Sequence, residues 1–455
     1  MGAPSVNLKL IIAKLTRSVD KVALKDSTLF YLPSLATTLV SFILFANIKG
    51  IEPGKLNTIQ VIIMASVILS LMLVAGIQFL TNTVIGQINT SEDKTKQQSL
   101  SSGFTRLAIL LSFIFSIIIS GVVYPYFSSV LHFSTMDFSF FVILLVCYAF
   151  IWVITGAFWA LGQHKYPAII FVFSYIVIFA FGYIGYHLGA VEFMVGYTVG
   201  VVLLLALLSL FLLSVFRGQQ KPKGLWESAH TLPELISKNY WGMLFQTFLI
   251  LAIFLDKIIV WISEGIKAGN GLQIMSNYTT GSFLGLIPSF SLVALAYFSE
   301  KVKRLSKNMW TGSLNDVRMR IQEYKRLYNM GLLTMLSSGS VLLALVVGFS
   351  QIISGDNMIT LIALTIGLGV LFFEVILFNA FVLPVFRQSR ISTVSMIIIC
   401  LTETVIALLV PKNIWFASVG FLTGSFMGFL LSHITTKRLL SEFDYNAFRA
   451  FQLDT

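Results

Sequence analysis

The chain has 455 residues, 56% of them hydrophobic and 11% charged, with a formal net charge of +11. Soluble domains carry roughly 25% charged residues, so a sizeable soluble domain is excluded. The basic balance does not call for nucleic acid as a partner, because the cations flank apolar stretches, where anionic membrane lipid attracts them.

In chain order, residues 1–27 mix apolar side chains with Lys9, Lys14, Arg17, Lys21 and Lys25. The run Leu10-Ile11-Ile12-Ala13 is too short for a signal-peptide core, and the mixture predicts a helix lying on the inner membrane surface. About twelve apolar stretches follow, at 28–48, 59–84, 107–127, 138–161, 166–188, 191–216, 240–263, 274–298, 328–353, 358–383, 391–410 and 414–436. Each is near the ~20 residues needed to cross a ~30 Å hydrocarbon core. Runs of this length satisfy their backbone hydrogen bonds as helices, so the expected fold is an all-α polytopic membrane protein.

Lysine and arginine fix the expected topology. With the N-terminus cytoplasmic, 26 of the 31 fall in inside segments and 4 outside, at Lys49, Lys55, Lys267 and Lys412; Lys257 lies within a span. The positive-inside rule predicts this asymmetry, so the chain is expected in the cytoplasmic (inner) membrane with both termini cytoplasmic.

Two long polar inside loops, at about 85–106 and 299–327, stand six spans apart, and the linker 217–239 with Lys221-Pro222-Lys223-Gly224 falls between them. This spacing predicts two six-helix lobes, 28–216 and 240–436, related by an axis along the membrane normal, with a cytoplasmic tail at 437–455. In the second long loop, Ser313 with Asp316 resembles a capping box. Leu314, Val317, Ile321, Tyr324 and Tyr328 then recur at helical steps, interleaved with Arg318, Arg320, Lys325 and Arg326. Such a helix either lies on the inner leaflet or docks a cytoplasmic partner through Arg318, Arg320 and Lys325.

Ionisable side chains within a span cost roughly 2.5–3.5 kcal/mol at the membrane centre and usually face protein or water. Asp256 and Lys257 in span seven are the leading pair. Adjacent helical residues point about 100° apart, so the two can partner each other only imperfectly, and each is expected to meet another helix or a water-filled cavity, as a structural interhelical bond or as a coupling or substrate contact. Glu374 in span ten and Glu403 in span eleven are candidates for a proton or cation site; the threonines beside Glu403 offer it local hydrogen bonds instead. Gln78 and Asn82 share one face of span two and either line a polar pathway or tie helices together. Trp152 and Trp159 share a face of span four, as a packing stripe or a sugar path. Trp241, Trp261 and Trp415, near span ends, read as interfacial, as do His187 and His433. Cys147 and Cys400 read as packing residues.

The outside loops are short, and no paired-carboxylate motif, nucleotide-cradling glycine motif or His/Cys cluster is present. The chain therefore reads as a transporter without its own ATPase, and neither an enzyme activity nor a metal or other cofactor is expected.

The segment Ile253-Phe254-Leu255-Asp256-Lys257-Ile258-Ile259-Val260-Trp261 resembles the Pel exopolysaccharide transporter (PelG) family. So do Leu286-Ile287-Pro288, Glu300, the basic helix from Gly312-Ser313-Leu314, and the tail Glu442-Phe443-Asp444-Tyr445. That family belongs to the multidrug/oligosaccharidyl-lipid/polysaccharide exporter superfamily. The resemblance is strongest over about 240–450; the first 26 residues lack the Gly-rich opening of that family. It implies export of a polysaccharide through a path lined by spans one, two, seven and eight. It also implies a cytoplasmic glycosyltransferase and accessory membrane proteins as partners. A cation- or proton-coupled exporter of small molecules or lipid-linked oligosaccharides, and an integral membrane glycosyltransferase or polymerase, are the alternatives.

Overall fold

The computed structural model describes residues 53–88, 94–163, 165–216, 225–268, 277–291, 298, 305, 314–386, 388–409 and 415–442. Among these residues every regular element is a helix. The first group is α1 (Pro53–Ile88), α2 (Lys94–Ser129), α3 (Thr135–Ala160), α4 (Lys165–Leu188) and α5 (Ala190–Val215). The second is α6 (Leu225–Ala268), α7 (Asn277–Gly285), α8 (Leu314–Ser354), α9 (Asn357–Val382), α10 (Ser389–Leu409) and α11 (Trp415–Ser441). Short 3-10 turns follow α7 (Ile287–Ser291) and α9 (Leu383–Phe386).

Ten of these helices are long and apolar enough to cross a membrane. The expected span 28–48 lies outside the described residues, as do the N-terminal segment and most of the C-terminal tail. The expected span 274–298 is interrupted: α7 stops at Gly285 and the chain tightens, with Leu286 N–H donating to the Ser282 and Phe283 carbonyls at 3.1 and 3.2 Å. Pro288, which has no N–H to continue an α-helix, sits in the 3-10 turn. Most of the expected linker is also helical, because α6 begins at Leu225 and runs unbroken for 44 residues.

In lipid the apolar effect does not drive helices together, so close approach of backbones must do so. In the first lobe α1 packs along α3, and α4 along α5. In the second, α11 packs on α9 and α10, α7 on α9, and α6 on α10. Gly281 and Gly285 let α7 press onto α9: a methyl at either would lie 2.8 or 2.9 Å from the carbonyl oxygen of Ile359 or Ala363.

α6 also crosses to the first lobe. Leu232, Leu235, Ile236 and Met243 pack on Leu80 and Val84 of α1 and Phe104 of α2. Gly242 backs directly onto the Phe79 ring, leaving no room there for a side chain. Trp261, with Phe254 and Ile258 beside it, also packs into the apolar core of the first lobe, so this helix touches that lobe along both halves and carries the charged pair in its C-terminal half.

Candidate functional site

The site is assembled where α6, α7 and α10 meet. Asp256 and Lys257 are each 1% exposed. Lys257 Nζ donates to the Ile253 carbonyl at 2.9 Å and to Asp256 Oδ1 and Oδ2 at 3.0 and 3.3 Å. The partnership of these neighbours, expected to be only imperfect, does form. The four-carbon stem of lysine folds back toward the preceding turn, where the carbonyl one turn earlier and the adjacent carboxylate are both in reach. The expectation of a second helix does hold for Asp256, since Tyr278 Oη on α7 donates to its Oδ2 at 2.7 Å. One turn further along α6, Trp261 Nε1 donates to Thr279 Oγ1 at 2.8 Å, so Trp261 is buried between helices rather than interfacial.

Glu403 on α10 joins this group. It is 1% exposed and within electrostatic reach of Asp256, Lys257 and Tyr278. Thr404 does not satisfy it; that hydroxyl donates to the Cys400 carbonyl at 2.8 Å, as a helix-interior threonine can do without reaching its neighbour. Three ionisable side chains from two helices are thus gathered in one buried place, sealed by a tyrosine from a third.

Glu374 on α9 stands apart. It is fully buried, with the Ser291 hydroxyl close to it but outside hydrogen-bond geometry. Gln78 and Asn82 face α3: Gln78 Nε2 donates to the Trp152 carbonyl at 3.2 Å, and a methyl at Gly156 would touch both side chains. Trp152 Nε1 donates to Ser70 Oγ at 3.2 Å. This geometry ties α1 to α3. Cys147 and Cys400 are buried free thiols.

The basic stretch forms the first turns of α8, continuous with its membrane-spanning part. Ile321, Tyr324 and Tyr328 are buried against Phe298, Val382, Phe386 and Leu440, so protein rather than lipid covers this apolar face. Arg318 and Arg326 are exposed; Arg320 and Lys325 are half-buried.

Sequence reasoning missed the aromatic and amide partners. Tyr278 completes the Asp256 site. Tyr328 donates to Asn379 Oδ1 at 2.9 Å and lies 3.3 Å from His433 Nδ1, while Asn379 Nδ2 donates to Ser432 Oγ at 3.1 Å. His433 is therefore part of a network joining α8, α9 and α11. Periodicity marks Tyr328 as part of an apolar helix face but not its hydrogen bonds, and Tyr278 and Asn379, single polar residues in apolar runs, carry no periodic signal. Among the described residues no group of three or more His, Cys, Asp or Glu is placed to hold a metal.

The family described as "Putative exopolysaccharide Exporter (EPS-E)", PelG, matches residues 32–448. The chain belongs to the PelG family. No curated protein matches it by sequence. Its fold is that of solved transporters of the MOP superfamily. An outward-facing multidrug resistance MATE family transporter is similar at TM-score 0.69 and 12% identity, covering 93% of this chain and 96% of that one. A MOP superfamily transporter from Pyrococcus furiosus (TM-score 0.62, 14% identity) and a MATE transporter from Vibrio cholerae (TM-score 0.62, 12% identity) each cover 92% of this chain and 96% of their own. Family and fold make this PelG-family chain a multi-pass membrane transporter of exporter type.

Proposed function

We propose that the chain exports a Pel-like polysaccharide across the cytoplasmic membrane through a central path between its two lobes, with both termini in the cytoplasm. The observation that carries this reading is the family match over nearly the whole chain, on a transporter fold. Rocking of the lobes exposes the path to alternate sides, and the α1–α6 contact is one surface across which they move. Asp256, Lys257, Glu403 and Glu374 serve coupling, because buried charges are costly and are retained in spans mostly where they act. Gln78 and Asn82 hold the α1 wall of the path. A cytoplasmic glycosyltransferase supplies the polymer, docking on Arg318, Arg320 and Lys325 with accessory membrane proteins alongside.

Removal of the chain from a producing cell should abolish surface polymer while leaving polymer synthesis intact, and its return should restore it. Undiminished secretion without the chain would overturn the reading. The MATE-type neighbours favour a second reading, exchange of small molecules for ions; counterflow of cationic compounds by the purified protein would support it. For topology, single cysteines at Ser128, Gly265 and Asn413, in a variant lacking Cys147 and Cys400, should react with an impermeant thiol reagent from outside. Those at Ser99 and Ser313 should not, and their labelling in sealed cells would refute the orientation.

A further inference from the structure

Of the buried carboxyl groups, Glu403 has the most informative surroundings. Neither of its oxygens meets hydrogen-bond geometry with a neighbour. From α6 it faces Asp256 and Lys257, with the Asp256 backbone amide close but outside hydrogen-bond geometry. From α7 it faces Tyr278, and from its own helix Cys400. α11 approaches it through Gly420, where a methyl would stand 3.2 Å from the Glu403 Cα. An acid so enclosed has no protein hydrogen-bond donor in place to stabilise a carboxylate.

Lys257 decides what such a site can accept. Its ammonium already sits beside the Asp256 carboxylate and the Ile253 carbonyl, where a small cation would otherwise find oxygen atoms. Tyr278 occupies Asp256 from the other side. A metal cation needs several oxygen ligands at once, and beside the Glu403 carboxyl the Asp256 and Ile253 oxygens are already engaged by these two residues. The charge arithmetic points the same way. Two carboxylates and one ammonium leave a single negative charge, and one proton removes it without any ligand geometry.

We propose that Glu403 is a proton-carrying site, and that the tethered Lys257 ammonium closes it to metal cations. This deepens the reading that export draws on the charged cluster, and Lys257 becomes the residue that sets which ion the site takes.

Infrared spectroscopy of the purified full chain in lipid vesicles tests this directly, because a protonated carboxyl group has a carbonyl band distinct from carboxylate and amide. At neutral pH the isosteric Glu403→Gln variant should lose one carboxyl band that Glu374→Gln retains. That band should fade on alkaline titration and stay unmoved when sodium or potassium replaces choline in the buffer. In Lys257→Met, which removes the ammonium, a second carboxyl band from Asp256 should appear at neutral pH. No band lost in Glu403→Gln, with the variant folded by circular dichroism, would overturn the proposal, as would a wild-type band bleached by sodium or potassium. Export separates the two readings: if Glu403→Gln loses the band yet secretes polymer normally, the proton site stands and its coupling to export falls.

Discussion

Among the described residues of the first lobe the deeply buried polar side chains are neutral: Tyr148 and Tyr197 share a 2.7 Å hydrogen bond, Trp152 donates to Ser70, and Gln78 to a backbone carbonyl. In the second, Asp256, Lys257, Glu374 and Glu403 are buried. Among the described residues both lobes tie helices through polar contacts, but only the second does so with buried carboxyl and ammonium groups. The neutral Tyr148–Tyr197 pair is satisfied within its own lobe. A charged cluster with an unsatisfied carboxyl is sensitive to anything that admits water or an ion, which is what a coupling element requires. On the proposed reading, rigidity belongs to the first lobe and response to the second, with α6 spanning both.

The largest effects should come from breaking the ion pair. Asp256→Ala and Lys257→Ala each strand a charge, at about 3–5 kcal/mol for a buried pair, and each should abolish export while leaving some inserted, folded protein. The double variant removes both liabilities and should regain protein level without regaining export. Restored export in the double variant would reduce the pair to a structural tie, and full export in either single variant at normal expression would show that it has no essential role.

Next is the basic face of the same lobe. Reversing Arg318, Arg320 and Lys325 to Glu should abolish copurification of the glycosyltransferase at unchanged protein level. Unchanged copurification would leave those side chains to the anionic lipid surface.

The interlobe contact tests whether α6 transmits between the two regions. Gly242→Leu forces a side chain into the Phe79 ring, an overpacking worth roughly 1–3 kcal/mol, and should lower export several-fold. Gly54→Leu, at a position with nothing within 4 Å, should leave it unchanged. Equal export in the two variants would remove this contact from the transport cycle.

The smallest effect belongs to the neutral lobe. Tyr148→Phe or Tyr197→Phe should cost about 0.5–1.5 kcal/mol, the usual net value of one hydrogen bond, seen as a modest fall in thermal stability with export retained. Loss of export with stability intact would break the contrast by giving the first lobe an active part.

Apolar run length and the distribution of lysine and arginine settled much before any coordinates. They gave helices, ten of the twelve expected spans among the described residues, and an expected orientation, because the hydrocarbon core imposes one length and the membrane one charge asymmetry. They also flagged Asp256, Lys257, Glu374 and Glu403, since an ionisable residue in an apolar run is visible without neighbours. What they could not supply is which of these meet. Asp256 and Glu403 are 147 positions apart in the sequence and come together only because α6 packs along α10. Tyr278 reaches Asp256 from α7, which stops at Gly285 where the chain tightens and passes through Pro288. Sequence periodicity reports which face of a helix is apolar; the pairing of one buried face with another depends on interhelical distances of a few ångströms, and only the tertiary structure sets those.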